Sequence, residues 1–225
     1  MVERTELGNR MKDNYENAYR LFLPKRSNVI IRVDGKAFHT LTRGIEKPFD
    51  TEFMHAMELT ALELCKEIQG AKLAYVQSDE ISIWVTDYDD LKTCAWFDNN
   101  LQKLCSISAA TASVEFTWQY GKKGLFDSRV FVIPELEEVC NYFIWRQKDA
   151  ERNSINMLAQ SHFSPKQLHG KTIPQVHDML HGIGVNWSDL SVNKKRGMCV
   201  VDKNLTEPPI FTQDREFIKS RVKQF

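Results

Sequence analysis

The sequence predicts an α+β fold, an antiparallel sheet with helices packed on one face, from three observations. Short runs rich in Val, Ile, Tyr and Trp alternate with long stretches of helical spacing. Two of those runs, KLAYVQ and ISIWVT, are separated only by Ser78, Asp79 and Glu80, so they form a hairpin. The resulting order of strand, helix, strand, strand, helix, strand is the ferredoxin-like arrangement.

Each element has its own signal. In NVIIRVDG (28–35) Val29, Ile31 and Val33 alternate with Ile30, Arg32 and Asp34, as a strand with two distinct faces requires. Residues 50–69 carry Phe53, Met57, Leu64 and Ile68 at roughly helical spacing, and Gly70 stops the helix. The hairpin follows. From about Asp89 to Tyr120 the spacing is again helical and ends at Gly121. SRVFVIP (128–134) is a fourth strand, and Pro134 opens a third helix toward Gln160. Beyond residue 161, SPKQLHG and TIPQVHDMLHG suggest short helices and GMCVVD a late strand. The chain divides into a main unit, 1–160, and a C-terminal appendage, 161–225, packed on it.

Composition narrows the function classes. The 225 residues are 42% hydrophobic and 27% charged, as in an ordinary soluble globular protein. Net charge is zero, so a polyanion must be held by a local basic patch. Five cysteines without CxxC spacing argue for reduced thiols and a cytoplasmic location. The start, MVERTELGNR, lacks an apolar signal core and no run approaches transmembrane length, so no membrane partner is expected.

The hairpin turn poses a chemical question. Such turns favour Asn-Gly or Asp-Gly, yet Asp79 and Glu80 stand side by side here. Asp34 ends the first strand, which lies beside the hairpin in this topology. Three carboxylates converging on an open sheet face raise one another's pKa unless a cation neutralises them. Mg²⁺ suits such oxygen ligands and leaves positions for phosphates, and two ions about 4 Å apart can serve phosphoryl-group chemistry. Acidic turns are also ordinary solvated features. Gly35, directly after Asp34, would let the backbone approach a phosphate.

RVDGKAFH, EKPFD, YVQSDE, FDSRVFVIP and WRQKDAERN together resemble the tRNA-His guanylyltransferase family, over roughly residues 28–156. The resemblance implies a polymerase-type palm and a nucleotidyltransferase that adds nucleotides to the 5′ end of tRNA. It implies two Mg²⁺ ions held by Asp34, Asp79 and the carbonyl of Gly35, with Glu80 as a neighbouring catalytic acid. It places a nucleoside triphosphate over the backbone of Lys36, Ala37, Phe38 and His39, with Lys47, Ser78 and Lys103 contacting phosphates and Asp50 reading guanine. ATP or GTP would be the activating nucleotide, tRNA the partner, and a homotetramer built as a dimer of dimers the assembly. Asp50 reads equally as a helix cap, and Lys103 as a solvated lysine.

Two departures from the family pattern matter. Phe49 stands where the tRNA-His enzymes have asparagine, and Glu151, Arg152 and Ser154 replace members of a histidine-asparagine signature tied to the histidine anticodon. The run around Asn153 resembles instead the branch that repairs 5′-truncated tRNA by templated addition in the 3′–5′ direction. Arg129, Arg146, Arg152, Asn153 and the cluster Lys194, Lys195 and Arg196 are candidates for RNA contact, as are Arg215, Lys219, Arg221 and Lys223. His177 and His181 are four apart, a zinc spacing without a further ligand set. The alternatives are a tRNA-His-specific guanylyltransferase, a palm-type nucleotide cyclase, and a non-catalytic RNA-binding sheet with Trp84 as its stacking platform.

Overall fold

The computed structural model describes residues 5–222. Its strands are β1 (Asn28–Gly35), β2 (Ala71–Gln77), β3 (Glu80–Val85), β4 (Phe126–Ile133), β5 (Met198–Val201) and β6 (Asn204–Thr206). Its α-helices are α1 (Glu6–Met11), α2 (Phe38–Leu41), α3 (Thr51–Glu67), α4 (Leu101–Tyr120), α5 (Leu136–Gln160), α6 (Pro165–Leu168), α7 (Ile173–Gly182), α8 (Val192–Arg196) and α9 (Glu216–Lys219). The strands form one antiparallel sheet in the order β4-β1-β3-β2-β5-β6. Its first four members have the ferredoxin-like order, and β5 and β6 extend it beyond β2.

Local chemistry sets the boundaries. The Asp50 carboxylate accepts the Phe53 N–H at 2.8 Å and starts α3. Asn100 caps α4 by accepting the Lys103 N–H at 3.1 Å, and Gly121 ends that helix with φ +70°. The helix expected from Asp89 therefore begins only at Leu101. Phe97, Asp98 and Asn99 all have positive φ, which no helix tolerates, and the preceding segment is held down by Lys25 on Asp98 and by the Leu23 N–H on the Asn99 carbonyl.

The expectation of helices on one face needs correcting. Val29, Ile31 and Val33 pack with Ile81 and Ile83 against Met57 and Leu64 of α3 and Phe116 of α4. The other face is apolar too: Ile30, Leu73, Tyr75 and Trp84 have to be covered, and Val139, Cys140 and Phe143 of α5 cover them with Phe211 and Ile218 of the C-terminal segment. Trp84 is fully buried, its indole N–H donating to Asn28 Oδ1 at 3.2 Å, so it is no open stacking platform. The end of α5 packs on α7 through Ile155, Leu158, Val176 and Leu180. Among the described residues, no helix is long and apolar enough to cross a membrane.

Candidate active site

The carboxylates meet where β1 ends and the β2–β3 hairpin turns. Asp34 is in register with Glu80 of β3 and with Asp127 of β4. The Gly35 N–H donates to the Asp79 carbonyl at 2.9 Å, which ties the turn to the end of β1. Ser78 takes the positive φ, +50°, that the turn demands, so the tight turn forms without glycine. Asp79 is half-buried and Ser78 Oγ donates to its Oδ1 at 3.2 Å. Burial pushes the Asp79 carboxyl above the usual carboxylate range, and the nearby charge of Asp34 pushes it the same way.

Glu80, its neighbour in sequence, has a different environment. It is 5% exposed and receives two parallel bonds from Arg146, Nε to Oε1 and Nη2 to Oε2, each 2.7 Å. Arg32 Nη2 lies 2.7 Å from Oε2 and 3.2 Å from Asp34 Oδ2, bridging the two carboxylates. Gln77 and Ser82 donate as well. Burial still drives the Glu80 carboxyl upward, opposed chiefly by Arg146 and then Arg32. Its oxygens are occupied by these partners, so Glu80 is placed to hold the site together rather than to face a substrate. Arg146, 4% exposed, also bonds Asp149 at 2.9 Å. That corrects its candidacy for RNA contact: exposing it would leave Glu80 buried without its main counter-charge.

Asp34 and Asp79 form an oxygen-only pair, partly open to solvent and electrostatically opposed, a donor set that fits a hard divalent cation. Among the described residues no group of three or more His, Cys, Asp and Glu side chains gathers as a metal cage. His177 instead packs edge-on against Trp187. The remaining ligands would come from backbone carbonyls and substrate phosphates. Gly35 is required for a reason internal to the protein: a Cβ there would lie 2.5 Å from the Phe38 ring. That ring is buried among Phe53, Phe116 and Phe126. Of Lys36–His39, then, Phe38 can offer only backbone, while Lys36 and His39 are exposed and Ala37 has a left-handed φ of 57°.

Beside the hairpin lies a cleft of about 140 Å³ between the α2–α3 loop, α5 and α8. Lys47, Asp50 and Ser78 line it together with Phe49, Asn153, Lys194 and Lys195. Asp50 is the helix cap, and its second oxygen accepts the Glu46 N–H at 3.2 Å. Lys103 is not brought here. It sits in the first turn of α4 against Phe97, whereas Ser113, ten residues and about 15 Å further along the helix, bonds the Phe126 N–H beside Gly35. Arg129 is exposed beside Asp127 on edge strand β4.

The remaining basic candidates are mostly paired. Arg152 binds Asp149, Arg196 binds Glu151 at 2.8 Å, Lys195 donates to the Ser188 carbonyl at 2.6 Å, and Arg215 and Lys219 bind Glu137. Arg221 lies 3.7 Å from Asp202, and Lys223 falls outside the described residues. Sequence reasoning missed Asp127 and Asp149. Nothing local marks either, because one depends on the register of β4 and the other on how α5 crosses β3.

A family model described as tRNAHis guanylyltransferase matches residues 8–134. The chain is 46% identical to a bacterial tRNA(His) guanylyltransferase-like protein solved in complex with ATP; the match covers 97% of this chain and 100% of that one, with a TM-score of 0.92. Another structure described in the same words, in complex with GTP, is 42% identical, with 98% and 100% covered and a TM-score of 0.84. The probable tRNA(His) guanylyltransferase of Dictyostelium discoideum is 27% identical over 203 residues, 80% of this chain and 77% of that protein.

Proposed function

The chain belongs to the tRNAHis guanylyltransferase family of nucleotidyltransferases, and from that premise we propose that it repairs 5′-truncated tRNA, adding nucleotides in the 3′–5′ direction against the opposite strand as template. One observation carries this reading over strict tRNA-His specificity. In the segment whose family counterpart is tied to the histidine anticodon, these side chains are engaged within the fold: Glu151 accepts from Arg196, buried Ser154 accepts from the Trp187 indole at 2.9 Å, and the exposed Arg152 is bound to Asp149. Side chains committed to their own fold have little left with which to select one anticodon.

In the reaction, the 3′-hydroxyl of the incoming nucleotide attacks the activated 5′ phosphate of the RNA. A new phosphodiester bond forms, and the bond to pyrophosphate or AMP breaks. Asp34, Asp79 and the Gly35 carbonyl would hold Mg²⁺; bound there, it supplies charge neutralisation at phosphate oxygens and a more acidic hydroxyl. Lys47 and Ser78 orient the triphosphate from the cleft toward Asp79, and the Arg32–Glu80–Arg146 network keeps Asp34 and the hairpin in place. The relatives bound to ATP and to GTP support a purine triphosphate as the activating nucleotide.

The test compares tRNA-His with another tRNA, each lacking its first nucleotide, with the template base opposite the gap varied and Mg²⁺ present. The expected result is addition to both, of whichever nucleotide completes a Watson–Crick pair. Addition to tRNA-His alone, or of G whatever the template, would leave the guanylyltransferase reading standing and remove this one.

A further inference from the structure

Trp84 is buried, yet the face of the sheet that carries the carboxylates has an aromatic ring at its rim. Trp145 of α5 is 54% exposed, although Ile144 and Arg146 on either side of it are buried. The ring is held from within. The Arg146 guanidinium lies 4.4 Å from its centroid, and Tyr142 meets it edge-on at 5.9 Å. Both supports belong to the site. Arg146 is bonded to Glu80, and the Tyr142 hydroxyl shares a 2.7 Å hydrogen bond with Ser82, the register partner of Arg32. Strand β4 leads from this ring to the carboxylates. Phe131 meets Tyr142 at 5.7 Å, and alternation puts Arg129 and Asp127 on the same face, in register with Arg32 and Asp34. From Phe131 to Asp127 is about 13 Å of strand.

The charges around Trp145 select its partner. Lys148, exposed one turn further along α5, forms no hydrogen bond or ion pair among the described residues. Arg129 is held only by an exposed contact with Asp127 at 3.5 Å, weak enough for a phosphate to replace. Glu138, the acid on the groove between β4 and α5, is two helical turns from Trp145 and engaged with Asn141. By contrast Trp118, 82% exposed on α4, shares its helix face with Val114 and Ile107, an apolar stripe without such cations. An aromatic ring flanked by cations is the chemistry of a contact with unpaired nucleic acid. A truncated 5′ end leaves bases of the opposite strand unpaired, with π-faces free to stack. We infer that Trp145 is a stacking platform for an unpaired base of the strand opposite the reacting 5′ end, with Lys148 meeting the adjoining phosphate. The inference rests on the tRNA-directed reading and deepens it by naming residues that position the RNA.

Binding of two hairpin RNAs to the full chain, without nucleotide, tests it: one with a 3′ strand overhanging its 5′ end, the other blunt. Trp145→Ala should weaken the overhanging RNA by about tenfold and the blunt one far less, and Trp145→Phe should restore most of the loss. Lys148→Gln should lower the slope of log affinity against log salt by about one. In addition assays Trp145→Ala should raise KM for truncated tRNA and leave KM for the nucleotide unchanged. Unchanged affinity of Trp145→Ala for the overhanging RNA, or equal losses on both RNAs, would overturn the platform. So would sedimentation showing fewer copies per assembly in Trp145→Ala, because the ring would then face a second copy. If Trp145→Ala does not fold, the Lys148→Gln salt slope decides alone, and an unchanged slope overturns the assignment. An unaltered chain that binds these RNAs but adds no nucleotide removes the enzymatic reading and leaves the platform. One that adds, while Trp145→Ala binds and adds equally well, removes the platform only.

Discussion

The two faces of one sheet are built on different principles. The face under α3 and α4 is closed mainly by apolar contacts, with Phe38, Phe53, Phe116 and Phe126 meeting ring to ring beneath the end of β1. The face under α5 starts the same way, with Val139 and Phe143, and then changes chemistry. One turn beyond Phe143, α5 presents Arg146, and the contact becomes ionic, to Glu80, with Arg32 and Asp34 beyond it. A hydrophobic face needs only to exclude water. An ionic one must balance each desolvated charge, and this one leaves Asp34 and Asp79 at its edge, partly exposed and mutually repelling. The stable face thus carries the site, and the polar face supplies its charges.

The sharpest break of the contrast removes the edge charges alone. Asp34→Ala or Asp79→Ala should lower nucleotide addition by ~10³-fold, the several kcal/mol that metal charge stabilisation supplies, while thermal unfolding of the chain stays near that of the unaltered protein. Addition near the unaltered rate at saturating nucleotide and Mg²⁺ would show the carboxylates to be ordinary turn residues.

The two faces can next be compared at equal cost. Phe116→Ala on the apolar face should destabilise by ~3–5 kcal/mol through the cavity it leaves. Arg146→Ala on the ionic face should cost ~3–5 kcal/mol by stranding Glu80. In denaturant titrations the two should look alike, but at a temperature where both are folded only Arg146→Ala should be slow in addition. Equal activity of the pair would mean that the ionic network stabilises the fold without positioning the site.

A pH series sharpens the difference further. Because burial and Asp34 raise the Asp79 carboxyl, it takes up a proton at higher pH than an ordinary aspartate as pH falls. The folded chain binds that proton more tightly than the unfolded one, so this group's contribution makes the metal-free fold less stable as pH rises through the raised value. Protons and Mg²⁺ compete for the same oxygens, so the Mg²⁺ concentration for half-maximal addition should climb as pH falls through the raised range. A requirement flat over that range would remove Asp79 from the ligand set. The smallest effect expected is at the rim of the cleft: Lys47→Ala should raise the apparent nucleotide constant about tenfold with little change in the maximal rate. An unchanged constant would place the triphosphate away from Lys47.

Several features were legible in the residues because their causes are local. The alternation of Val29, Ile31 and Val33 with Ile30, Arg32 and Asp34 marks β1 and its two faces, and Asp50 and Gly121 mark helix ends, since backbone sterics and capping act within a few residues. That Asp34 and the hairpin come together followed from strand order. What the residues could not divide was the pair Asp79 and Glu80, adjacent, both acidic and equal in propensity. Only packing separates them, because Arg146 reaches Glu80 from 66 residues away and leaves Asp79 beyond its grasp. The same holds for Asp127, which faces Asp34 only through the register of β4. Conformational preference is short-ranged and can be read along the chain. Charge balance and burial depend on which distant segments share a space, and tertiary structure alone decides that.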